Sequence, residues 1–385
     1  MLDFSGNPQK ASAGFFIVLF TLGLLVGGLG TYFVNTLQVS HLNKDVSDLQ
    51  SQVAMLRGSQ NQTITNQTIT IYQNGSSLVE IFANVSESVV LIHGNQSDGG
   101  VQGSGFVYNY SNRMVILTNF HVIQEVTDLS ITFSDGNGYA ATVLGTDPYA
   151  DLAVLSVQAP TDELIPLPVV SSSSLRVGDQ VIAIGNPYGL VGSLTTGVVS
   201  ALGRSEQADF TANFSIANMI QSSTPINPGN SGGPLLNAAG EVVGITNSVL
   251  SDSQGLGFAV PSNTILREIS SLVTTGTYRS HSYLGIASLP DRNDMNYDLA
   301  QELNVNVTYG RYVGSVAAGG PSDGKLQSGD IIIAMNATKI RNSDDLGSYL
   351  EEKTLPGDLL AITVIRNNTN TDVNVTLGTR PQPNL

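Results

Sequence analysis

The sequence predicts a mainly β protein: two six-stranded barrels, then a small domain of mixed strands and helices, with an apolar helix before them. Short β-branched runs, separated by glycine, asparagine and aspartate, begin near residue 78 and form two sets of about six. Several short strands at such spacing are typical of an all-β barrel or sandwich. About a hundred residues from 280 onwards suit one small mixed domain. Residues 13–34 carry no charge, which indicates the apolar helix.

Composition limits the partners and the chemistry. The chain has 385 residues, a formal net charge of −15 and no cysteine. Because nucleic acid and anionic lipid repel an acidic chain, we expect no nucleic-acid partner and favour unfolded polypeptide. The lack of cysteine excludes disulfides, thiolate metal sites and a cysteine nucleophile. The sequence shows no ligand cluster and no phosphate-binding glycine loop, so we expect no cofactor and no metal.

The apolar run 13–34 is long enough to cross a hydrocarbon layer of ~30 Å. A secretory signal is the alternative, but the run is longer than the apolar core of a signal and no Ala-x-Ala cleavage site follows it. We therefore expect an uncleaved membrane helix. Lys10 lies before the run, which favours a short cytoplasmic N-terminus at 1–12 and an extracytoplasmic location for everything after residue 34.

Residues 35–57 predict a helical stalk, because apolar residues recur there at alternating spacings of three and four. These residues are Val39, Leu42, Val46, Leu49, Val53 and Leu56. The stripe fits a short coiled coil, and it equally fits a single helix that packs on its own catalytic domain. Residues 58–77 are rich in Gln, Asn, Thr and Ser, and we expect them to form a polar linker.

The two barrels are expected within residues 78–275. The predicted strands of the first barrel are 88–93, 105–108, 114–118, 129–133, 140–144 and 153–157. Those of the second are 180–184, 197–201, 234–237, 242–246 and 257–260, followed by a helix at 263–272. A separate α+β domain is expected at 280–380, with strands at 312–316, 330–335, 359–366 and 372–377 and a helix at 343–352 that begins in a cap-compatible Ser-Asp-Asp.

Ser231 is the candidate nucleophile. It lies in Asn-Pro-Gly-Asn-Ser-Gly-Gly-Pro-Leu at 227–235. A serine hydroxyl needs a base to remove its proton, and a glycine-rich turn allows backbone N–H groups to point at the developing oxyanion. The same residues satisfy the Gly-x-Ser-x-Gly elbow of α/β-hydrolases, but that elbow requires a strand before the serine, a helix after it and a downstream histidine. Proline and glycine flank this serine on both sides, so the elbow interpretation fails.

His121 and Asp151 are the candidate base and orienting acid. Of the other histidines, His41 lies in the stalk, His93 lies in a strand without nearby motifs, and His281 lies between the domains. A structural histidine remains the alternative for His121, and a turn or capping role remains the alternative for Asp151. The order His, Asp, Ser along the chain is that of double-barrel serine proteases and differs from the orders of subtilisins and α/β-hydrolases.

The local rival of Asp151 is Asp147, which precedes a proline in a turn-forming context. Asp151 directly precedes the apolar run Leu-Ala-Val-Leu at 152–155. A carboxylate at that position could be buried away from water and bonded to an imidazole, where it would fix the tautomer of the ring. The sequence therefore favours Asp151.

Six motifs in this order resemble the HtrA/Deg serine proteases, and the unit after residue 280 resembles their PDZ domain. The motifs are 118–122, 151–155, 184–189, 196–204, 226–235 and 257–263, and the PDZ likeness rests on 283–286 and 326–332. The resemblance implies a chymotrypsin-like double barrel in which Ser231 is the nucleophile, His121 the general base and acid, and Asp151 the orienting carboxylate. It assigns the oxyanion hole to the turn of Gly229, Asn230 and Ser231, through the N–H groups of the first and last. It assigns the carboxylate-binding loop of the PDZ domain to Tyr283, Leu284, Gly285 and Ile286.

The resemblance further implies a homotrimeric, membrane-anchored endopeptidase that degrades unfolded or damaged extracytoplasmic proteins and binds peptide C-termini at its PDZ domain.

Pro225 lies six residues before the nucleophile, where enzymes that cut after Lys or Arg carry an Asp, so a small apolar P1 residue is expected. Residues 221–225 depart from the family's usual Asp and paired alanines. Two other functions stay open: a non-proteolytic chaperone or PDZ-type binding protein, and a signalling protease that trims one membrane partner.

Overall fold

The computed structural model describes residues 77–383 apart from 97–98, 187–191, 208–213, 228, 248–255 and 290–291. These residues belong to the second of two compact units of the chain, Gly75–Leu385. The predicted N-terminus 1–12, membrane helix 13–34 and stalk 35–57, and the linker as far as residue 76, lie outside the described residues. In the part of the chain that is described, no helix is both long and apolar enough to cross a membrane.

The first helix of the described residues is α1, Leu78–Val85, which packs its buried Ile81 and Val85 in the apolar cluster of the two barrels. Its start is fixed by a capping box. The Ser77 side chain accepts a hydrogen bond from the Glu80 backbone N–H, and the Glu80 carboxylate accepts one from the Ser77 backbone N–H. Two N–H groups that have no partner within the helix are thereby satisfied.

The first barrel is closed and antiparallel, with the strand order β1-β2-β3-β6-β5-β4. Its strands are β1 Val89–Gln96, β2 Gly99–Tyr110, β3 Arg113–Thr118, β4 Thr127–Thr132, β5 Gly138–Asp147 and β6 Leu152–Val157, with a short helix α2 at Phe120–Ile123. Closure removes the free strand edges on which other chains could pair. Its interior is filled by alternate apolar residues such as Ile92, Val107, Ile116 and Ile131, as the strand period requires.

The second barrel is also closed, with the order β10-β11-β12-β9-β8-β7. Its strands are β7 Gln180–Gly185, β8 Ser193–Glu206, β9 Ile216–Ser222, β10 Pro234–Leu236, β11 Val242–Asn247 and β12 Gly257–Pro261. The sequence-based prediction missed β9. This strand contains Asn218 at a φ of +63°, and its register against β8 shifts three times, so the alternation that signals a strand is interrupted. The predicted pair of six-stranded barrels is confirmed.

The two barrels share one apolar cluster. Phe106, Leu117 and Val154 of the first barrel pack in the same cluster as Ile184 and Ile245 of the second. Helix α3, Ser262–Thr275, follows β12 and buries Ile265, Ile269 and Leu272 in that cluster. It ends at Gly276, whose φ of +79° is the left-handed conformation that closes many helices. The predicted helix 263–272 is confirmed.

The third domain is a small α+β unit with its own core. Its elements are β13 Ser282–Tyr283, β14 Ile286–Ala287, α4 Tyr297–Glu302, β15 Arg311–Tyr312, β16 Ser315–Val316, β17 Ile331–Met335, β18 Thr338–Lys339, α5 Ser343–Lys353, β19 Leu359–Arg366, β20 Thr369–Thr376 and β21 Gly378–Thr379. The largest sheet runs β15-β17-β19-β20, with β18 added to β17. The single strand predicted at 312–316 is wrong, because β15 and β16 belong to different sheets. The chain turns between them at Gly314, where a Cβ would lie 2.5 Å from the backbone of Leu289.

Helix α5 of the third domain docks on β8 and β9 of the second barrel. The Asp344 carboxylate accepts from the Arg204 guanidinium and from the Ser205 backbone N–H, at 3.0 and 2.9 Å. Ser348 donates to the Gly203 carbonyl at 3.0 Å. A cleft of about 650 Å³, lined by both domains, lies beside this contact. The catalytic and third domains therefore meet through polar contacts, as interfaces that can rearrange commonly do.

Candidate active site

The predicted catalytic residues lie on the edges of the two barrels that face each other. His121 is on α2 directly after β3, and Asp151 is in the turn between β5 and β6, so both belong to the first barrel. Ser231 lies in the turn that leads into β10 of the second barrel. The packing of the two barrels against each other thus brings together residues that are far apart in sequence.

The Asp151 carboxylate is fully buried and fixes the His121 ring. Its Oδ2 lies 2.7 Å from His121 Nδ1, its Oδ1 accepts from the His121 backbone N–H at 2.9 Å, and Asn247 donates to Oδ2 at 2.6 Å. Asn119 donates to the Asp151 carbonyl at 2.9 Å. When Nδ1 carries the proton donated to Asp151, the neutral ring keeps its lone pair on Nε2, which is the arrangement of a general base. Asp151 has a φ of +50°, a conformation that is uncommon outside glycine and clusters at functional sites.

The pKa of His121 is raised above its ordinary value of 6.5. Burial by itself would lower this pKa, and the charge of Asp151 together with the hydrogen bond to Asp151 raises it by more. The protonated ring is therefore favoured relative to a histidine in water.

We expect hydrolysis to fail in acid, with a half-point above pH 6.5, because only the neutral His121 ring can remove a proton. The measurement is kcat/KM from pH 5 to 9. A rate that stays constant below pH 6 would contradict the assignment of His121 as the base. The variant Asp151→Asn tests whether Asp151 causes the raised pKa of His121. It removes the charge that raises this pKa, so the remaining activity of the variant should have its half-point at lower pH.

Ser104, on β2, binds the nucleophile turn to the first barrel. Its backbone N–H donates to the Ser231 carbonyl at 2.8 Å, and its hydroxyl donates to the Gly229 carbonyl at 2.5 Å. The same hydroxyl accepts from the Asn186 N–H at 2.9 Å, and the Ser104 carbonyl accepts from the Thr118 hydroxyl at 2.7 Å. This residue is fully buried. The backbone of this one residue thus connects the serine turn to the strand that leads into His121, and its hydroxyl ties the turn to Asn186.

Glycine is required at 232 by both space and conformation. A Cβ there would lie 2.1 Å from the Ser104 carbonyl oxygen and 2.2 Å from the Thr118 hydroxyl, and the φ of Gly232 is +85°. Thr118 precedes His121 by three residues, and Gly232 directly follows Ser231. This close approach brings the Ser231 turn against the segment that carries His121.

The turn before Ser231 is wound tightly. Gly229 has a φ of +99°, Asn230 donates its N–H to the Asn227 carbonyl at 2.9 Å, and the Thr246 hydroxyl donates to the Asn230 carbonyl at 2.6 Å. The N–H of Asn230 is therefore used within the turn. Of the three residues predicted for the oxyanion hole, Asn230 shapes the turn, and the prediction of donors rests on the N–H groups of Gly229 and Ser231.

Ser104, Asn119 and Asn247 were not predicted to belong to the site. Asn247 ends β11, and nothing near it in sequence indicates that it meets Asp151. Asn119 stands two residues before His121, and Ser104 stands between two glycines. That run of small residues is the one local signal that marks a close approach of two backbones.

The predicted peptide-binding loop joins β13 to β14. Tyr283 ends β13, Gly285 has a φ of +74°, and Ile286 begins β14. The Leu284 carbonyl accepts from the Ser322 hydroxyl at 2.6 Å, and the Gly285 carbonyl accepts from the Ala317 N–H at 2.8 Å. Ile286 packs in the same core as Leu346, Tyr349 and Leu350 of α5. A strand and a helix therefore stand beside a glycine loop whose shape is fixed by hydrogen bonds.

Three side chains of the type that binds metals meet away from Ser231, at the junction with the third domain. The ligand atoms of Asp147, Glu268 and His281 lie within 4.8 Å of one another, and all three residues are buried. His281 Nε2 is bonded to Asp147 at 2.7 Å, and Arg267 forms an ion pair with Glu268. The charges of this group are therefore matched by cationic side chains of the protein itself.

Two family descriptions match the chain. A trypsin-like peptidase domain matches residues 103–245, and a PDZ domain matches residues 282–377. The first match contains His121, Asp151 and Ser231, and the second contains the loop 283–286.

Similar proteins are found among curated proteins and among solved structures. The chain is 37% identical to the chloroplastic Protease Do-like 1 of Arabidopsis thaliana over 294 residues, which cover 72% of this chain and 64% of that protein. It is 37% identical to the periplasmic pH-dependent serine endoprotease DegQ of Escherichia coli over 282 residues, which cover 72% of this chain and 59% of that protein. The structure of the HtrA-type protease AlgW with a tripeptide matches with a TM-score of 0.63 and 30% identity, over 80% of this chain and 99% of that chain. The chain spans less than two thirds of the length of these two curated relatives.

Proposed function

The chain belongs to the HtrA-type serine proteases, with a trypsin-like peptidase domain followed by a PDZ domain, and on that premise we propose that it is a serine endopeptidase that cleaves unfolded polypeptides. One observation carries the proposal. A buried carboxylate orients the His121 ring, while Ser104 and Gly232 hold the Ser231 turn against the segment that bears that ring.

The mechanism follows from this arrangement. His121 Nε2 takes the proton of the Ser231 hydroxyl as its oxygen attacks the carbonyl carbon of the peptide bond, and Asp151 stabilises the resulting imidazolium. The carbonyl oxygen becomes an oxyanion, which the N–H groups of Gly229 and Ser231 stabilise. The protonated His121 then gives its proton to the departing amine, leaving an acyl group on Ser231. A water molecule, deprotonated by His121, releases the acyl group and restores the hydroxyl.

We infer a preference for a small apolar residue at P1. The position six residues before Ser231 is Pro225, so the carboxylate that recognises Lys or Arg in other double-barrel proteases has no counterpart there. The Pro225 carbonyl accepts from the Thr195 hydroxyl at 3.0 Å, a contact between two uncharged groups.

The test is digestion of reduced, denatured casein, with the cleavage sites mapped by mass spectrometry and Ser231→Ala as the blank. We expect many cleavage sites, mainly after Val, Ala or Leu, and slow digestion of a stably folded protein. Cleavage chiefly after Lys or Arg would contradict the specificity. Substrate loss that is equal with the Ser231→Ala protein would contradict the activity and favour a binding protein.

We infer in addition that the PDZ domain binds peptide C-termini. A peptide would add as a strand beside β14, and the N–H groups of the loop 283–286 would meet its carboxylate. The strand, the helix α5 and the left-handed Gly285 support this mode of binding.

We further propose that the protein is anchored by residues 13–34, acts on the extracytoplasmic side and assembles as a homotrimer or larger oligomer. The uncharged run and Lys10 support the anchor. The names of two relatives, periplasmic for DegQ and chloroplastic for Protease Do-like 1, support a location outside the cytoplasm. Family membership supports the oligomer.

A further inference from the structure

A buried group of charged residues joins the catalytic domain to the PDZ domain. His281, which directly precedes β13, lies between the two domains. Its Nε2 is 2.7 Å from Asp147 Oδ2 at the end of β5, and its Nδ1 is 3.1 Å from Glu351 Oε2 on α5. Arg267 of α3 pairs with Glu351 at 3.1 Å and with its neighbour Glu268. Asp147 and His281 are at most 3% exposed.

This group pairs two cationic side chains with buried carboxylates. Burial lowers the pKa of His281, and its bonds to Asp147 and Glu351 overcome this and raise the pKa to about 10. His281 is therefore a cation that donates from both ring nitrogens. Burial, and after it the charge of Asp147, raises the pKa of Glu268, whereas the charge of Arg267 lowers it. Removing one partner of such a buried pair leaves the other charge without compensation.

Asp147 connects this group directly to the catalytic acid, because it opens the turn that ends at Asp151. Its Oδ1 accepts from the Tyr149 N–H at 3.0 Å, while its Oδ2 is the atom bonded to His281. The Asp151 N–H donates to the Pro148 carbonyl at 3.3 Å, which closes the turn. One carboxylate thus holds the turn through one oxygen and His281 through the other.

The opposite end of the PDZ domain holds the same turn. The Tyr149 hydroxyl donates to the Pro381 carbonyl at 2.5 Å, and the Arg380 guanidinium lies 3.7 Å from the centre of the Tyr149 ring. The Arg380 N–H donates to the His281 carbonyl at 2.9 Å. The two chain segments that enter and leave the PDZ domain therefore meet on the turn that carries Asp151.

We propose that His281 is a positioning residue for the catalytic acid: through Asp147 it fixes the turn that carries Asp151, and thereby the alignment of the Asp151–His121 pair. The inference rests on the proposed endopeptidase function and assigns a positioning residue to that same site.

The geometry of the ring allows a matched pair of variants. The side-chain amide of glutamine places a donor near the position of Nε2, and that of asparagine places one near Nδ1. His281→Gln thus retains the bond to Asp147 and loses the bond to Glu351, whereas His281→Asn does the reverse. Both variants replace a buried cation by a neutral amide, so the loss of charge is common to the two.

The experiment measures kcat, KM and the pH profile with a short peptide too small to reach the PDZ domain, using the full chain. We expect His281→Asn to lower kcat about ten- to a hundredfold with little change in KM, because misplacing a catalytic group by about 1 Å has effects of that size. The acid half-point should also move to lower pH, since a displaced Asp151 raises the pKa of His121 less. His281→Gln should recover most of both losses.

Equal kcat and equal acid half-points for the two variants, with a change in thermal unfolding alone, would overturn the proposal and leave His281 as a purely structural contact. If His281→Asn does not fold, Asp147→Asn decides, because its amide oxygen can keep the bond to the Tyr149 N–H while its NH₂ loses the bond to His281 Nε2. A several-fold lower kcat and a lower half-point support the proposal, and unchanged values overturn it. Failure of the proposed function looks different: the unmodified protein would then cleave no peptide at all.

Discussion

Ser231→Ala lowers kcat for peptide hydrolysis by about 10⁵- to 10⁶-fold, the size of the loss when the nucleophile is removed from a complete triad. The side chain supplies the attacking atom, whereas the backbone of the turn is held by other contacts. Ser104 donates its N–H to the Ser231 carbonyl, and Gly232 donates its N–H to the Thr246 carbonyl. These bonds do not involve the Ser231 hydroxyl, so we expect the turn to keep its shape.

The measurement compares single-turnover and steady-state rates of the two proteins on one fluorogenic peptide. Thermal unfolding and circular dichroism are the controls, and both should be the same for the two proteins. A loss of less than tenfold with intact folding would contradict the role of Ser231, since the residual catalysis of a triad without its nucleophile is far lower.

Asp151→Asn lowers kcat by about 10⁴-fold, because it changes which ring nitrogen of His121 carries the proton. Both oxygens of Asp151 accept hydrogen bonds: Oδ1 from the His121 N–H, and Oδ2 from Asn247 and from His121 Nδ1. An amide has only one acceptor oxygen. The His121 backbone N–H can only donate, so the amide oxygen stays opposite it and the NH₂ takes the place of Oδ2. Facing this donor, Nδ1 becomes an acceptor, and the ring is driven to the tautomer that has its proton on Nε2 and cannot act as a base.

The control is Asp162→Asn, an exposed turn residue, which removes the same charge away from the cleft and should leave kcat unchanged. Unfolding of Asp151→Asn is measured in parallel, because the altered hydrogen bonds are buried. A kcat within tenfold of the unmodified protein would show that His121 does not depend on Asp151 for its tautomer.

The sequence predicted most of the fold, because strands and their turns are signalled locally. β-branched runs and glycine-rich breaks placed eleven of the twelve barrel strands, and β9 was missed because Asn218 interrupts its alternation. The small domain was predicted less accurately at β15 and β16. Gly314 turns the chain there for a close approach to Leu289, which lies elsewhere in the sequence.

Residue type and chain order were sufficient to predict the three candidate catalytic residues. His121, Asp151 and Ser231 lie in recognisable motifs, and the structure brings their segments to one cleft. Asn247, Ser104 and His281 act through partners between 82 and 134 residues away. No local pattern indicates such partners, because they depend on how the barrels and the PDZ domain pack. Asp147 was expected in a turn and instead ends β5 directly before the turn, and its bond to His281 could be found only in the folded chain.

The central claim is that His121 and Asp151 activate the hydroxyl of Ser231, and covalent labelling with a fluorophosphonate tests it most directly. The probe loses fluoride to an activated serine and forms a stable oxygen–phosphorus bond, which intact mass and peptide mapping detect. We predict one probe per chain, on the peptide that contains Ser231, with a labelling rate that falls in acid and is abolished in His121→Ala. A folded protein that cleaves casein yet carries the probe at another residue, or carries none, would contradict the account.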